Sequence, residues 1–397
     1  MGLWQRGSKR REEPAQRVIS NALKFWTNIL RCCGPQMFNG LKFSSLRGFV
    51  SLFLVGMTLS VTIAACSGDG GNTTTASSPG ATGGSAAKKE VELTLVSFAV
   101  TKSAHDKIIP KFVQKWQQEH NQTVVFKPSY GGSGSQTRAV IDGLEADVVH
   151  LALGFDVQKI EKAGLIEAGW DKEAPNDAVA SRSVAAIVTR EGNPKGIKDW
   201  TDLGKDGISF ITADPKTSGG ARWNFLALWN AAVKSGADDA KAQEFVAKAY
   251  KNVPVLPRDA REASDIFFKQ GQGDALINYE NEILLAAENG EKLPFVIPAV
   301  NVSIDNPVAV VDKNVDKHGT REVAEAFVQY LFSPEAQQEF ANTGFRLSDL
   351  NGAQAKSLES KYPQVKDLAT VKDYGGWSEV QKKFFDDGAI FDQIQGK

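Results

Sequence analysis

Three segments rich in glycine and small polar residues stand where a predicted strand passes into a predicted helix. They span residues 129–135, 214–220 and 256–261. The first N–H groups of an α-helix have no partner within the helix, and they lie at the positive end of the helix dipole. An anion is the natural ligand of such a junction, so three junctions in one chain predict an anion-binding site. The alternative is that each is only a tight turn in which glycine supplies a positive φ.

The same segments lack residues that nucleophilic or nucleotide chemistry requires. A G-x-S-x-G nucleophile elbow would need glycine where Ser135 stands. The run at 132–134 lacks the third glycine of a dinucleotide fingerprint, and the sequence contains no phosphate-binding P-loop motif. A secreted serine hydrolase using Ser133 or Ser218 is an alternative, but no histidine stands at a recognisable spacing to activate either serine. We therefore expect a binding protein and not an enzyme.

The composition excludes several other kinds of site. Lys plus Arg number 46 and Asp plus Glu 47, so the net charge of −1 gives no general case for nucleic-acid binding. The cysteines, Cys32, Cys33 and Cys66, all precede the main body of the chain, and only four histidines occur. That body can form no disulfide framework and no multi-thiolate metal site. We expect no metal and no cofactor.

Residues 1–66 have the pattern of an export signal. An apolar stretch at 49–63 follows basic residues and is too short to span a bilayer comfortably. It ends in Ile-Ala-Ala-Cys, which resembles a bacterial lipobox in which the cysteine, here Cys66, receives a lipid before cleavage. Ordinary cleavage near Ala65 is the alternative, and both interpretations export the protein. Met37 is the expected start, because from there the signal has a conventional length.

Residues 67–89 are rich in Gly, Ser, Thr and Ala and contain almost no bulky apolar side chain. Such a segment cannot offset the entropy of ordering, so we expect a disordered tether. Acyl chains on Cys66 would then hold the protein on a membrane surface.

From residue 90 onward, short β-branched runs alternate with helical patterns, which is typical of an α/β protein. In the first predicted helix, Ile108, Phe112 and Trp116 share one face at helical spacing and are expected in the core. The predicted strands are 92–97, 123–126, 147–153, 183–189, 208–212, 253–256, 275–279 and 307–311. The predicted helices are 106–119, 135–144, 221–234, 240–250 and 261–270, with a mostly helical tail from Thr320 that includes helix starts at 333–335 and 378–379. Two α/β lobes fit the length, and the pattern leaves open whether the tail packs on the first lobe or forms a third.

Five motifs in this body are ordered and separated as in one known family. They are SYGGSG at 129–134, EADVV at 145–149, REGNPK at 190–195, PKTSGGARWN at 215–224 and GD at 273–274. Over about residues 92–393 the chain closely resembles the bacterial sulfate-binding proteins of sulfate/thiosulfate ABC transporters, in particular cyanobacterial members. The resemblance implies an α/β, two-lobed class II periplasmic binding protein fold with two crossover hinge strands, 183–189 and 302–311. Lobe I would comprise 90–187 plus 305–397, and lobe II 188–304.

The resemblance also implies which groups hold the ligand. The sulfate donors would be the backbone N–H groups of Ala99, Ser133, Gly219, Gly220 and Ala260 together with the Ser218 hydroxyl. At the position of Tyr279 the family usually has an indole N–H donor, so this chain departs from the pattern there. A tyrosine hydroxyl can accept as well as donate, which could soften discrimination against phosphate or admit thiosulfate or molybdate. Alternatively, Tyr279 only packs over the ligand.

Four basic side chains near these loops need a separate interpretation. In the family, arginines such as Arg222 and Arg261 sit behind the loops and donate to peptide carbonyls, and a direct ion pair with sulfate is the alternative. Lys102 and Lys216 are expected to be solvated charges on the rim that steer an anion toward an acidic protein.

Taken with the export signal, the resemblance implies a lipid-anchored receptor in the periplasm. It would bind sulfate in an interlobe cleft through neutral hydrogen-bond donors, close around the anion and deliver it to the subunits of a membrane ABC permease. We expect a monomer with no cofactor that contacts a membrane only through its lipid anchor. A thiosulfate or molybdate receptor of the same fold is the alternative binding function.

Overall fold

The computed structural model describes residues 90–349, 353–358, 361–362 and 364–396. The predicted export signal, the lipidation of Cys66 and the predicted tether lie outside these residues. The strands are β1 (Glu90–Phe98), β2 (Thr123–Gly131), β3 (Val148–His150), β4 (Val179–Thr189), β5 (Phe210–Ile211), β6 (Ala275–Tyr279), β7 (Phe295–Val296), β8 (Val300–Val310), β9 (Arg346–Leu347) and β10 (Asp367–Ala369).

The α-helices lie between these strands and after β8. They are α1 (Lys102–His120), α2 (Ser133–Ile141), α3 (Gly154–Lys162), α4 (Gly219–Lys234), α5 (Asp239–Tyr250), α6 (Ala260–Phe268), α7 (Glu280–Glu288), α8 (Asp312–His318), α9 (Arg321–Tyr330), α10 (Pro334–Asn342), α11 (Ala353–Ser357), α12 (Trp377–Val380) and α13 (Ile390–Gln395). A single 3₁₀ turn, Ala99–Thr101, follows β1, and a π-helical turn, Gln381–Phe385, follows α12. No helix in the described part of the chain is long and apolar enough to cross a bilayer.

The strands of the described residues pair in the order β2-β1-β3-β8-β4-β6-β5. β1 is parallel to β2 and β3, and β5 is parallel to β6, whereas β8 runs antiparallel to β3 and β4. In the parallel group, Phe98 lies opposite Gly131, and Ser97 lies opposite His150. The segments that follow β1, β2 and β3 therefore leave the sheet at one edge, which is where open α/β sheets bind ligands.

The helix α1 covers this parallel group with the face that its sequence predicts. Ile108, Phe112 and Trp116 are buried, and the Phe112 ring lies 5.1 Å from the ring of Phe327 on α9. The side chains repeat at three and four residues, so one stripe of α1 meets the sheet while Lys115 on the opposite side stays exposed. The expected core of this part of the fold is confirmed.

Two eleven-residue strands join the parallel groups to one another. β4 pairs through residues 179–184 with β8 and through 185–189 with β6. β8 pairs through 303–307 with β4 and through 308–310 with β3. The predicted hinge segments 183–189 and 302–311 lie almost entirely within these two strands. A bend where the pairing partner changes would move the β5–β6 group relative to the β1–β3 group.

The C-terminal residues 377–396 pack on helices α4 and α5. The ring of Phe225 on α4 lies 5.2 Å from that of Phe385, and the ring of Tyr250 on α5 lies 5.6 Å from that of Phe391. This differs from the expectation that 305–397 belongs together with the first lobe, because α4 and α5 fall within 188–304. The physical reason is that α4 is buried on every side from Gly219 to Ala232, so it needs an apolar cover beyond the sheet.

One local prediction is wrong. Residues 253–256 form no strand, because Pro254 lacks a backbone N–H and Val255 is 38% exposed, so the segment can neither pair fully nor bury an apolar face. The helix expected to start at 378–379 is present and begins one residue earlier, at Trp377, preceded by Gly376 with a φ of 88° that favours glycine.

Candidate anion-binding site

A small cavity lies where the three predicted strand-to-helix junctions meet. All seven residues that the resemblance assigns to the sulfate site line this cavity. Its lining residues are Phe98, Ala99, Val100, Gly131, Gly132, Ser133, Ala152, Ser218, Gly219, Gly220, Asp259, Ala260 and Tyr279. Ala99 follows β1 in the 3₁₀ turn, and the other lining segments come from the loops after β2 and β3, from the starts of α4 and α6, and from the end of β6.

The first junction brings the start of α2 to the cavity. β2 ends at Gly131, Gly132 is the N-cap in extended conformation, and Ser133 begins the helix. The Ser133 hydroxyl donates to Oδ2 of Asp156 at 2.7 Å and accepts the N–H of Ala152 at 3.0 Å. Its hydroxyl is therefore used by the protein, which leaves the unpaired backbone N–H of the first helical turn for a ligand.

The second junction brings the start of α4 to the same cavity from the other side of β4 and β8. Ser218 is the N-cap, and its oxygen accepts the N–H of Ala221 at 3.3 Å, so its hydroxyl hydrogen is free to point elsewhere. Gly219 and Gly220 follow with no room for a side chain. A Cβ at Gly219 would lie 2.7 Å from the Cβ of Ala152, and one at Gly220 would lie 2.5 Å from Cε2 of Tyr279.

The third junction brings the start of α6 to the cavity. Ala260 is the first helical residue, and Asp259 is the N-cap, whose Oδ1 accepts the N–H of Glu262 at 2.9 Å. The other oxygen of Asp259 lies 3.6 Å from Nε of Arg258. Asp259 is the acidic residue among those that line the cavity, and both oxygens of its carboxylate have partners within the protein. Its charge therefore supports the helix start and does not oppose an anion directly.

Tyr279 lines the cavity at the end of β6. It is 1% exposed, and its hydroxyl has no hydrogen-bond partner among the described residues. Burial raises the pKa of Tyr279 well above its usual value, so the hydroxyl keeps its hydrogen. A buried polar group without a partner is unusual in a folded protein and is the kind of group that a bound ligand satisfies.

The two arginines behind the loops differ in what they contact. Nε of Arg222 donates to the carbonyl oxygen of Pro215 at 2.9 Å, as the resemblance implies, and its Nη1 donates to Gln381. Arg261 instead donates through Nε and Nη2 to both carboxylate oxygens of Glu282, at 2.8 and 2.7 Å. The expectation that Arg261 binds a peptide carbonyl is wrong, because the buried Glu282 offers the guanidinium a bidentate partner.

Lys216 is not a solvated rim charge. Its Nζ donates to the carbonyl oxygen of Phe385 at 3.0 Å and lies 2.9 Å from Oδ1 of Asp392. The C-terminal residues cover this lysine, whereas the resemblance implied that this segment belongs to lobe I. Lys102, in contrast, is exposed and forms a surface ion pair of 2.6 Å with Asp106.

Sequence reasoning missed two buried polar features beside the cavity. One is Asp156 on α3, whose carboxylate has no exposed surface. The other is a pair of buried histidines, in which Nε2 of His105 lies 3.1 Å from Nδ1 of His150. The Nδ1 atom of His105 lies 3.2 Å from Oη of Tyr130. Burial lowers the pKa of His105 to about 3. His105 lies three residues before Ile108 on the apolar face of α1, so its helical spacing could have marked it as buried.

The geometry of the cavity supports anion binding. In the described part of the chain, neither Ser133 nor Ser218 is hydrogen-bonded to a histidine, and no group of His, Cys, Asp and Glu side chains could hold a metal ion. Three helix starts and the hydroxyl-bearing residues Ser218 and Tyr279 line one small space, and such an arrangement can hold an anion by hydrogen bonds alone.

Comparison with known proteins agrees with this architecture. Residues 93–346 match the family described as bacterial extracellular solute-binding proteins. The sulfate-binding protein of Synechococcus elongatus is 54% identical over 349 residues, which are 88% of this chain and 96% of that protein. The thiosulfate-binding protein of Pseudomonas aeruginosa is 38% identical over 314 residues, which are 78% of this chain and 94% of that protein.

A solved structure extends the likeness to three dimensions. The sulfate-binding protein SubI from Mycobacterium tuberculosis has 35% sequence identity to this chain and a TM-score of 0.68, covering 75% of this chain and 100% of that one. The α/β, two-lobed binding-protein fold expected from the sequence is thereby confirmed.

Proposed function

This chain belongs to the family of bacterial extracellular solute-binding proteins, and from that membership we propose that it is a sulfate receptor of an ABC transport system. It binds sulfate in the cavity, releases it to membrane permease subunits and breaks no bond. The single observation that carries the proposal is the convergence of three helix starts on one space whose lining carboxylate is already bound within the protein.

Neutral donors suffice for a doubly negative ligand in such a place. The backbone N–H groups of Ala99, Ser133, Gly219, Gly220 and Ala260 and the hydroxyls of Ser218 and Tyr279 are the groups that we propose to donate to sulfate. Helix dipoles stabilise negative charge at these positions, and the donors are fixed before the ligand arrives. Arg222 assists indirectly, because its bond to the Pro215 carbonyl polarises the loop that leads to α4.

Sulfate also favours the closed form of the protein. We assign 90–187 and the described residues of 305–376 to lobe I and 188–304 with 377–396 to lobe II, which modifies the boundary expected from sequence. Ala99 and Ser133 then belong to lobe I, and the donors of α4 and α6 belong to lobe II. An anion held by only one lobe would leave part of its oxygens in water, so binding stabilises the state in which both lobes contribute.

The location that fits this function is the periplasm. We propose that Cys66 carries the lipid, that residues 67–89 act as a tether, and that the protein works as a monomer beside its permease. Acyl chains on one cysteine give a stable anchor because each buried methylene contributes about 0.8 kcal/mol.

Thiosulfate is the second candidate ligand. It is favoured by the 38% identity to the thiosulfate-binding protein of P. aeruginosa, and Tyr279 is the residue expected to influence the choice. Thiosulfate has one larger terminal atom than sulfate, so it needs more room beside the ring of Tyr279.

Isothermal titration calorimetry of the purified chain tests the proposal, with sulfate, thiosulfate, molybdate and phosphate as ligands. We expect sulfate to bind with micromolar affinity or tighter and phosphate to bind far more weakly. Ser218→Ala should weaken sulfate binding by about tenfold, the loss of one hydrogen bond to a charged ligand. Ser135→Ala is the matched control, since the hydroxyl of Ser135 is a partner of Arg138 and does not line the cavity. No heat with sulfate, or equal affinity for phosphate, would contradict the proposal.

A further inference from the structure

The hydroxyl of Tyr279 differs from the other hydroxyls that line the cavity. The Ser133 oxygen accepts the N–H of Ala152 while its hydrogen goes to Asp156, and the Ser218 oxygen accepts the N–H of Ala221. The Tyr279 oxygen has neither a donor nor an acceptor among the described residues. It is therefore the lining hydroxyl whose hydrogen and both lone pairs have no partner in the described part of the chain, so it can offer a ligand either a hydrogen or a lone pair.

The position of this oxygen directs it toward a ligand. Tyr279 is buried, and its ring packs beside Phe98, with the ring centroids 6.1 Å apart. The hydroxyl lies near the start of α4, because a Cβ placed on Gly220 would come within 2.7 Å of it. Rotation about the C–O bond moves the hydrogen without moving the ring, so one fixed ring position serves both roles.

We propose that Tyr279 extends the specificity of this cavity to tetrahedral oxyanions that carry a hydrogen, such as hydrogen phosphate and hydrogen arsenate. This inference rests on the proposed function and concerns the same site. Toward sulfate or selenate, which carry no hydrogen, the Tyr279 hydroxyl donates. Toward a hydrogen-bearing oxyanion, its oxygen accepts the O–H of the ligand, which would otherwise be buried without a partner.

Two other acceptors in the cavity already have partners within the protein. The carbonyl oxygen of Ala152 accepts from Trp223 and Asn306, and the carboxylate of Asp259 holds the start of α6. Sulfate remains the preferred ligand because most of the lining groups are donors. The hydrogen-bearing anions are secondary ligands whose binding depends on Tyr279.

The test compares two pairs of anions that are matched in shape and size, sulfate with phosphate and selenate with arsenate. Affinities are measured by calorimetric titration of the full chain at a mildly alkaline pH, where phosphate and arsenate each keep one hydrogen. In the wild-type protein, phosphate and arsenate bind measurably but more weakly than their partners. Tyr279→Phe should weaken phosphate and arsenate at least about tenfold more than sulfate and selenate, because it removes the acceptor.

Two further variants make the result specific. Tyr279→Trp supplies a donor and no acceptor, so it should keep sulfate and selenate binding and lose phosphate and arsenate binding. Ser218→Ala removes a hydroxyl whose oxygen is already engaged, and it should weaken all four anions by the same factor.

The outcomes separate this inference from the proposed function. If the wild-type chain binds sulfate and selenate but neither phosphate nor arsenate, the inference is overturned and the sulfate receptor stands. Equal loss of all four anions in Tyr279→Phe also overturns it, because Tyr279 would then act only as a donor. Absence of sulfate binding in the wild type would remove the proposed function together with the inference.

Discussion

The hydroxyl of Ser133 donates a hydrogen bond of 2.7 Å to Asp156, a carboxylate with no exposed surface. The second carboxylate oxygen lies 3.6 Å from Nζ of Lys159 and 4.0 Å from Nη1 of Arg222. Asp156 thus contacts the start of α2 on one side of the cavity and approaches α4 on the other. A buried negative charge close to an anion site is balanced here by two cations behind the lining loops.

Asp156→Ala should lower the free energy of unfolding by about 2–3 kcal/mol, because it leaves the Ser133 hydroxyl without its acceptor and removes the carboxylate that lies 4.0 Å from Arg222. Asp156→Asn keeps an acceptor for Ser133 and should cost about 1 kcal/mol. Urea unfolding of the wild type and both variants measures the difference. Equal losses in the two variants would mean that the hydrogen bond to Ser133 contributes nothing.

Gly132→Ala should prevent close approach of the two sides of the cavity. A Cβ at this position would lie 2.7 Å from the carbonyl oxygen of Thr217 and 2.9 Å from that of Arg258, and carbonyl oxygens of the main chain cannot easily move away. The φ of −61° suits alanine, so the change should leave folding intact. We expect sulfate affinity to fall by about a hundredfold, or about 2.7 kcal/mol, with little change in thermal unfolding of the ligand-free protein.

Gly154→Ala is the matched control for this substitution. A Cβ there meets the ring of Trp377 at 3.7 Å, an ordinary contact outside the cavity. Calorimetric titration should therefore give wild-type affinity for Gly154→Ala. Wild-type affinity in Gly132→Ala would show that sulfate binding does not require the close approach.

The buried histidines predict that stability falls in acid. Burial lowers the pKa of His105 to about 3 and that of His150 well below its usual value. The unfolded chain binds protons on both rings as the pH falls through about 6.5, whereas the folded protein keeps them neutral. Their contribution is therefore fully present above that pH and is lost below it, by up to about 1.4 kcal/mol per pH unit for each ring.

Thermal unfolding between about pH 7 and about pH 4 measures this effect. In the double variant with His105→Phe and His150→Phe, the unfolding temperature should change less with pH over this range than in the wild type. His318 has the opposite pH dependence and serves as a control. Hydrogen bonds with Glu145 and Asp147 raise the pKa of His318, so its contribution to the free energy of unfolding is largest at low pH. An unchanged profile in the double variant would contradict the prediction.

Lys216 should hold the C-terminal segment against the loop that leads to α4. Lys216→Met removes the donor to the Phe385 carbonyl and the ion pair with Asp392. Because the lysine is partly exposed, we expect less than about 1 kcal/mol of lost stability, but faster amide hydrogen exchange in residues 381–396. Lys102→Met, which removes an exposed pair with Asp106 and a contact with the ring of Tyr130, should leave exchange in residues 381–396 unchanged.

The local pattern of the sequence was sufficient to predict the elements that build the cavity. The alternation of strand and helix patterns along the chain predicted β6 at its observed bounds, and the glycine and serine residues marked the starts of α2 and α4. These features depend on neighbours within a few residues, which is why periodicity and capping chemistry identify them. The predicted strand at 253–256 failed because two prolines outweighed the β-branched residues around them.

What the sequence pattern did not predict depends on partners far along the chain. The bidentate contact of Arg261 requires Glu282, which lies 21 residues away, and the contact of Lys216 with Asp392 spans 176 residues. The position of Tyr279 relative to Gly220 likewise depends on how β6 and α4 pack. Such pairings are set by tertiary packing, and residue type alone gives no register for them.

Helices α4 and α5 obtain their aromatic cover from the last twenty residues of the chain. Until synthesis has passed residue 391, Phe225 and Tyr250 have no Phe391 to pack against, and the region around them keeps exposed apolar surface. A chain that lacks these residues would therefore keep apolar surface of α4 and α5 exposed to water, and such surface promotes aggregation.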